Sequence, residues 1–322
     1  MKLWKITLLS IIVLILLFVW IFIIGVNSKR PGSYFNTGNN AIWIEHKWVG
    51  DDVSEKEIAE MVLKLKKNQF FTVFVHTGPL KSDGTIDFET YKYAESFLEK
   101  ARKYAPDIQY QTWLGQIRSS LDLSDPEVRK NIVNQSQILT KMIGFDGVHY
   151  DIEPVWDGDL DFIQLLKETR ETLKEDTVIS VALAEFVPQV ALKTVGIFYD
   201  FVNYNSEINY KNVAKYADQI VVMVYDTSIQ EGYLYRLLVR EQLIWVSKLF
   251  KEKEVFIAIP SYDYTTKAFN PEVENMENGI KGIISGLNNA RSRVENFAGL
   301  AIYPYWTIDE NEWEIYQKLW LK

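Results

Sequence analysis

Eight apolar, β-branched or aromatic runs recur along the chain, and amphipathic stretches separate them. The runs are Ala41–Glu45, Phe70–His76, Ile108–Leu114, Gly144–Glu153, Val178–Leu183, Gln219–Tyr225, Val255–Pro260 and Ala298–Tyr303. They are near-continuous rather than alternating, the pattern of parallel strands buried on both faces. The intervening segments carry helix signals. Ser54-Glu55-Lys56-Glu57 is a capping box ahead of Ile58, Met61, Val62 and Leu65, and Asp125-Pro126-Glu127 opens another helix with proline in its first turn. Leu160–Leu173, Gly232–Phe250 and Asn311–Leu321 have helical period. Eight such units fit one (β/α)8 TIM barrel, a fold of about 250 residues. A doubly wound open sheet is the alternative, but no Gly-x-Gly-x-x-Gly follows the first run and no Walker loop occurs.

The N-terminus has a different character. Ile6 to Val26 is apolar apart from Thr7, Ser10 and Gly25. At about 1.5 Å per residue this run spans roughly 30 Å, the thickness of a bilayer core. The apolar region of a cleaved signal is about 7–15 residues and ends at small residues. The expected organisation is therefore a single transmembrane helix within residues 1–30, a linker over 31–40 and the barrel over 41–322. The N-terminus is expected inside and the barrel outside the cell, and the chain is expected to act as a monomer.

Charge narrows the partners. Four of the 35 basic residues and none of the 43 acidic ones lie in the first thirty, so the rest carries a net charge of −12. An acidic body repels phosphate backbones, which argues against a nucleic-acid partner. With no cysteine, thiolate metal sites, disulfides and a lipid-modified cysteine anchor are excluded.

In such a barrel the working residues stand at the C-terminal ends of the strands. All three histidines, His46, His76 and His149, fall there, as do Glu45, Asp151, Glu153, Glu185, Tyr225, Asp226, Tyr262, Tyr303 and Trp306. The fourth run is the most informative: Gly144-Phe145-Asp146-Gly147-Val148-His149-Tyr150-Asp151-Ile152-Glu153. Period two puts His149, Asp151 and Glu153 on one face, aimed into the barrel mouth. Burying three ionisable groups is costly unless they are paired or used. Glu153 is outermost and is the candidate proton donor, with Asp151 in reach to tune it.

This run resembles the Asp-Gly-x-Asp-x-Asp-x-Glu signature of glycoside hydrolase family 18, the chitinases and endo-β-N-acetylglucosaminidases. Asp146, Gly147, Asp151 and Glu153 match it, and His149 stands where the family has an acid. Met223-Val224-Tyr225-Asp226 is similar to the family's strand-six Met-x-Tyr-Asp. Gly299-Leu300-Ala301-Ile302-Tyr303 is similar to its strand-eight Gly-x-x-x-Trp, with tyrosine in place of tryptophan. Gln111-Thr112-Trp113-Leu114-Gly115 replaces the strand-three Ser-x-Gly-Gly.

The resemblance implies a retaining glycosidase in which the substrate's 2-acetamido group is the nucleophile. No cofactor and no metal are implied. Glu153 would be the general acid and base, Asp151 would orient the acetamido group, and Tyr225 would bond its carbonyl. Asp226, His149, Asp146 and Glu185 are candidates for binding substrate, and Tyr303, Trp306 and Trp113 for stacking under the sugar. A carboxylate nucleophile would instead come from Glu185 or Glu45. Two other readings use the same residues: a non-catalytic glycan-binding barrel, and a hydrolase with a metal on His46, His76, His149, Asp151 and Glu153. Trp245 and Trp320 read as core, and Glu272, Glu274 and Glu277 as the outer face of a helix. The stretch 186–210 is long enough for a lid or an extra helix.

Overall fold

The computed structural model describes residues 36–188 and 204–321. Eight parallel strands close into a barrel in chain order. They are β1 (Asn40–Ile44), β2 (Phe70–His76), β3 (Gln109–Ile117), β4 (Gly147–Glu153), β5 (Val178–Leu183), β6 (Gln219–Met223), β7 (Glu254–Pro260) and β8 (Phe297–Tyr303). The expected (β/α)8 TIM barrel is thus the fold, and every expected run overlaps its strand.

Residues alternate between two cores. Those pointing outward meet the helices in one large apolar layer, which includes Val148, Tyr150 and Ile152 of β4. Those pointing inward form a smaller core of Ala41, Trp43, Phe74, Val221, Phe256, Ala258 and Ala301. Large rings and alanines share this space, so the barrel is filled rather than hollow.

The helices begin where the sequence says they should. Ser54 and Glu57 complete the capping box of the helix Glu55–Lys67. Asp125 caps Pro126–Gln137 through Glu127 N, with the proline in its first turn. That helix widens into a π-helical turn over Ile138–Ile143 and stops at Gly144, whose φ of +101° is the left-handed geometry that glycine tolerates. For this reason β4 starts at Gly147, three residues later than the apolar run suggests. Gly147 is itself required, because a Cβ there would stand 2.6 Å from the Val178 carbonyl oxygen.

Among the described residues no helix is long and apolar enough to cross a membrane. The expected span, Ile6 to Val26, lies outside the described residues, as does residues 189–203 of the expected lid. The end of the expected linker is part of the barrel: Asn40 opens β1, and its side chain donates to Asn36 Oδ1 and the Gln69 carbonyl.

Candidate active site

The strand ends create a cavity of about 750 Å³ at the C-terminal mouth. Asp151 and Glu153 line one wall, Trp113 and Tyr303 lie beside them, and His46, His76 and Trp306 line it farther out. The alternation of β4 puts both carboxyls there, as its period predicts.

The two acids are close neighbours, and each acts on the proton of the other. Trp113 Nε1 donates to Asp151 Oδ2 at 2.9 Å. The other oxygen, Oδ1, is buried and meets no donor in good geometry, although the Glu153 carboxyl is close enough for a proton to be shared between the two. Burial pushes both groups up. Hydrogen bonds from Glu153 and Trp113 pull Asp151 back down, whereas the Asp151 charge, the shared hydrogen bond and the Asp226 charge push Glu153 further up. These directions favour the proton on Glu153 over Asp151.

Tyrosines close the far side. Tyr225 stacks on Tyr303 with centroids 5.8 Å apart and planes 16° from parallel. Burial first, then the charges of Glu153 and Asp151, hold the Tyr225 hydroxyl well above its usual range, so it remains a donor. Asp226 adopts a left-handed backbone, φ +58°, and accepts from the Tyr262 hydroxyl at 3.2 Å. Trp306 is 43% exposed and meets Tyr303 edge-on at 5.9 Å.

Several expected residues stand elsewhere than the sequence places them. His149 is fully buried beneath the acids and does not reach substrate space. Its ring stacks on Phe74 at 3.8 Å, Trp43 Nε1 lies 3.1 Å from Nε2, and Ser180 Oγ lies 2.9 Å from Nδ1. An indole N–H can only donate, so Nε2 accepts and Nδ1 carries the proton. Burial pushes the ring well below its usual range, and it stays neutral. Asp146 lies at the opposite end of β4, where it accepts from Arg102 at 2.9 Å and from Tyr110 N at 2.8 Å. It fixes the start of the strand. Trp113 lines the cavity as expected, is 7% exposed, and in addition donates to Asp151.

Glu185 is set back from the cavity, with Asp226 and Glu274 as its charged neighbours, and burial pushes it up to about 8. Glu274, expected on the outer face of a helix, is instead fully buried and accepts from Thr227 N at 3.1 Å and Thr227 Oγ1 at 2.9 Å. Burial pushes it up to about 7. Sequence reading gave no sign of this, because its partner lies 47 positions away.

The histidines do not converge. His46 and His76 meet edge-on at 5.7 Å, while both nitrogens of His149 are engaged elsewhere. Among the described residues no three histidines or acids are arranged to hold a metal ion.

The family model for Glycosyl hydrolases family 18 matches residues 47–315. This chain belongs to that family. It is a glycosidase, and its substrate is a carbohydrate. The family-18 barrel is similar in fold to several solved structures. The Bacillus megaterium QM B1551 spore cortex-lytic enzyme SleL is 13% identical, with a TM-score of 0.60 over 90% of this chain and 75% of that one. The chitinase from Chromobacterium violaceum ATCC 12472 is 11% identical, with a TM-score of 0.59 over 87% and 98%. The C-terminal domain of a putative chitinase from Desulfitobacterium hafniense DCB-2 is 13% identical, with a TM-score of 0.61 over 89% and 100%. No curated protein matches the chain.

Proposed function

We propose that the protein hydrolyses β-linked glycans containing N-acetylglucosamine, with retention of configuration and with the substrate's acetamido group as nucleophile. One observation carries this reading: Glu153 stands beside Asp151 at the barrel mouth, burial and the Asp151 charge push Glu153 well above the usual carboxyl range, and Asp151 has an oxygen free of regular hydrogen bonds. Glu153 gives its proton to the glycosidic oxygen as the bond from that oxygen to C1 breaks. The acetamido carbonyl oxygen forms its bond to C1 on the other face. Asp151 takes the acetamido N–H and balances the positive charge of the resulting ring. Tyr225, kept protonated, donates to the acetamido oxygen. Glu153, now a carboxylate, takes a proton from the water that opens the intermediate.

Glu185 does not compete for the nucleophile's place, because its charged neighbours are Glu274 and Asp226 rather than Glu153. His149, neutral and hydrogen-bonded on both sides, leaves Asp151 no acid beneath it with which to trade a proton. In this reading Asp151 depends on the Trp113 indole instead. Chitin and peptidoglycan are the glycans that suit the site, in keeping with the chitinase and cortex-lytic enzymes that share the fold. The apolar run from Ile6 to Val26 would hold the barrel at the outer face of a membrane.

The test is incubation of the protein and its Glu153→Gln variant with chitooligosaccharides and peptidoglycan fragments, with products read by mass spectrometry and the first-formed anomer by NMR. Cleavage to the β-anomer that disappears in the variant is expected. Cleavage surviving in Glu153→Gln would sink the assignment. Binding without cleavage by either protein would favour a glycan-binding barrel.

A further inference from the structure

The chain leaves the barrel at β6 by an unusual turn. Val224 N donates to the Ala258 carbonyl at 3.1 Å, and there the pairing of β6 with β7 ends. Tyr225 and Asp226 come next, followed by Thr227 and Ser228. Asp226 and Ser228 both have left-handed backbones, with φ of +58° and +62°. Residues with a Cβ rarely occupy this region, and neither position has glycine. Both residues are also exposed. An exposed turn with two such residues relaxes unless something outside it holds it.

Glu274 supplies the hold. It is fully buried in the segment after β7, just ahead of the helix Met276–Leu287. Its Oε1 accepts from Thr227 Oγ1 at 2.9 Å and from Thr227 N at 3.1 Å, and Oε2 lies 3.3 Å from the same N. Thr227 stands between the two left-handed residues, and both of its donors end on this one carboxyl. The rest of the turn is tied to the same segment. Ser228 N donates to the Ala268 carbonyl at 2.7 Å, and the Tyr262 hydroxyl donates to Asp226 Oδ1 at 3.2 Å. Glu274 is fixed in turn, because its N donates to the Asn270 carbonyl at 2.7 Å and Asn275 caps the following helix through Asn278 N at 3.0 Å. Burying a carboxyl is costly, and this one forms no ion pair among the described residues. Its place is beside the turn and not along the cavity.

We infer that Glu274 is a positioning residue, which acts through Thr227 to fix the turn that presents Tyr225 and Asp226 at the barrel mouth. The inference rests on the reading of Tyr225 as the donor to the acetamido oxygen, since only then does the backbone that carries it matter to the reaction. Oε1 alone takes both donors, so the role needs an acceptor rather than a charge. Glutamine can supply that acceptor in the same place, and alanine cannot. A group that moved a proton would tolerate neither.

The test uses the full-length chain with Glu274→Ala, Glu274→Gln and Thr227→Val, and chitopentaose and a peptidoglycan-derived oligosaccharide are the probes. Glu274→Ala is expected to lower kcat on the cleaved probe by about 10–100-fold with a smaller change in KM, because a misplaced donor is missed most in the transition state. Glu274→Gln is expected to restore most of that loss. Hydrogen exchange is expected to quicken in the peptide covering Tyr225–Ile229 of the alanine variant and not of the glutamine variant. Thr227→Val removes the hydroxyl bond alone, and its loss of about 3–10-fold in kcat carries the test if Glu274→Ala does not fold. Unchanged kcat in the alanine and valine variants would overturn the inference and leave Glu274 as an anchor for stability only. Equal losses in alanine and glutamine would overturn it too, since the charge would then be what matters. If the unsubstituted protein binds a probe without cleaving it, the catalytic reading falls, and the affinities of the same variants decide: weakening by alanine that glutamine restores keeps the positioning role, and unchanged affinity removes it. Neither binding nor cleavage of either probe would remove both.

Discussion

The two ends of the barrel contain the same acidic residue types in opposite circumstances. At the N-terminal end, Asp107, Asp146 and Asp218 pair with Lys66, Arg102 and Arg170, and Glu254 accepts from Gln219. At the C-terminal end, Asp151, Glu153, Glu185, Asp226 and Glu274 form no ion pair among the described residues, and burial pushes all five up. Paired carboxylates fasten strand ends to neighbouring elements. Unpaired carboxyls held near one another keep protons, and a proton held at neutral pH is what a general acid needs. In the proposed reading, the difference marks where stability has been given up for chemistry.

The largest expected effect comes from removing the acid. Glu153→Gln should lower kcat by about 10²–10⁴-fold while leaving the melting temperature nearly unchanged, because a neutral amide replaces a neutral carboxylic acid of the same shape at the same buried position. Asp146→Ala should do the reverse, lowering the melting temperature with kcat of the folded protein nearly intact. If both variants lost activity alike, the two ends would not differ in role.

Next is the buried ion pair of Arg118 with Asp159 behind the rim. Arg118→Met leaves Asp159 buried and unpaired and should cost about 3–5 kcal/mol of unfolding free energy in urea titration. A loss within that of ordinary surface changes would mean that the pair does not fix the Trp156 loop.

A smaller effect is expected from Trp113→Phe, which removes the donor to Asp151. Hydrogen bonds to charged groups are worth about 1.5–3 kcal/mol, so kcat/KM should fall by roughly 10–150-fold with little change in melting temperature. Unchanged kinetics would mean that Asp151 does not rely on this bond.

The mildest prediction concerns pH. Glu185, Glu274 and Glu312 keep their protons in the fold up to about 8, 7 and 7, against about 4.3 when unfolded. Between those values the folded state binds more protons than the unfolded one, so stability falls as pH rises. His76 works in the other direction: pushed down to about 4 from 6.5 by burial and then His46, it costs stability as pH falls below 6.5. From pH 8 to about 6.5 the carboxyls act without that opposition. The melting temperature should rise as pH is lowered across this window, and Glu185→Gln should flatten the slope. A flat profile in the unsubstituted protein would remove the contrast between the two ends.

Much of this was legible in one dimension because the signals are local. A near-continuous apolar run marks a strand buried on both sides, and period two alone puts Asp151 and Glu153 together at the mouth. Asp146 misleads because motif proximity suggests spatial proximity. A strand of seven residues at about 3.3 Å each spans roughly 23 Å, so the first and last acids of the motif stand at opposite ends of the barrel. Glu274 misleads because it precedes the helix Met276–Leu287 and folds inward to hold Thr227.

The sequence by itself determined the barrel, the order of its strands and the caps of several helices, and it singled out Glu153 as the candidate acid, all of which follow from periodicity, neighbouring residues and strand ends. Only the tertiary structure decided which groups are charged. His149 is neutral because Trp43 from β1 and Ser180 from β5 meet its two nitrogens. The Trp113 indole from β3 reaches Asp151 and favours its charged form, and Trp156 stands open at the rim over the Arg118 guanidinium, which Asp159 holds. Proton positions depend on burial and on donors drawn from distant strands, and closure of the barrel brings those donors together.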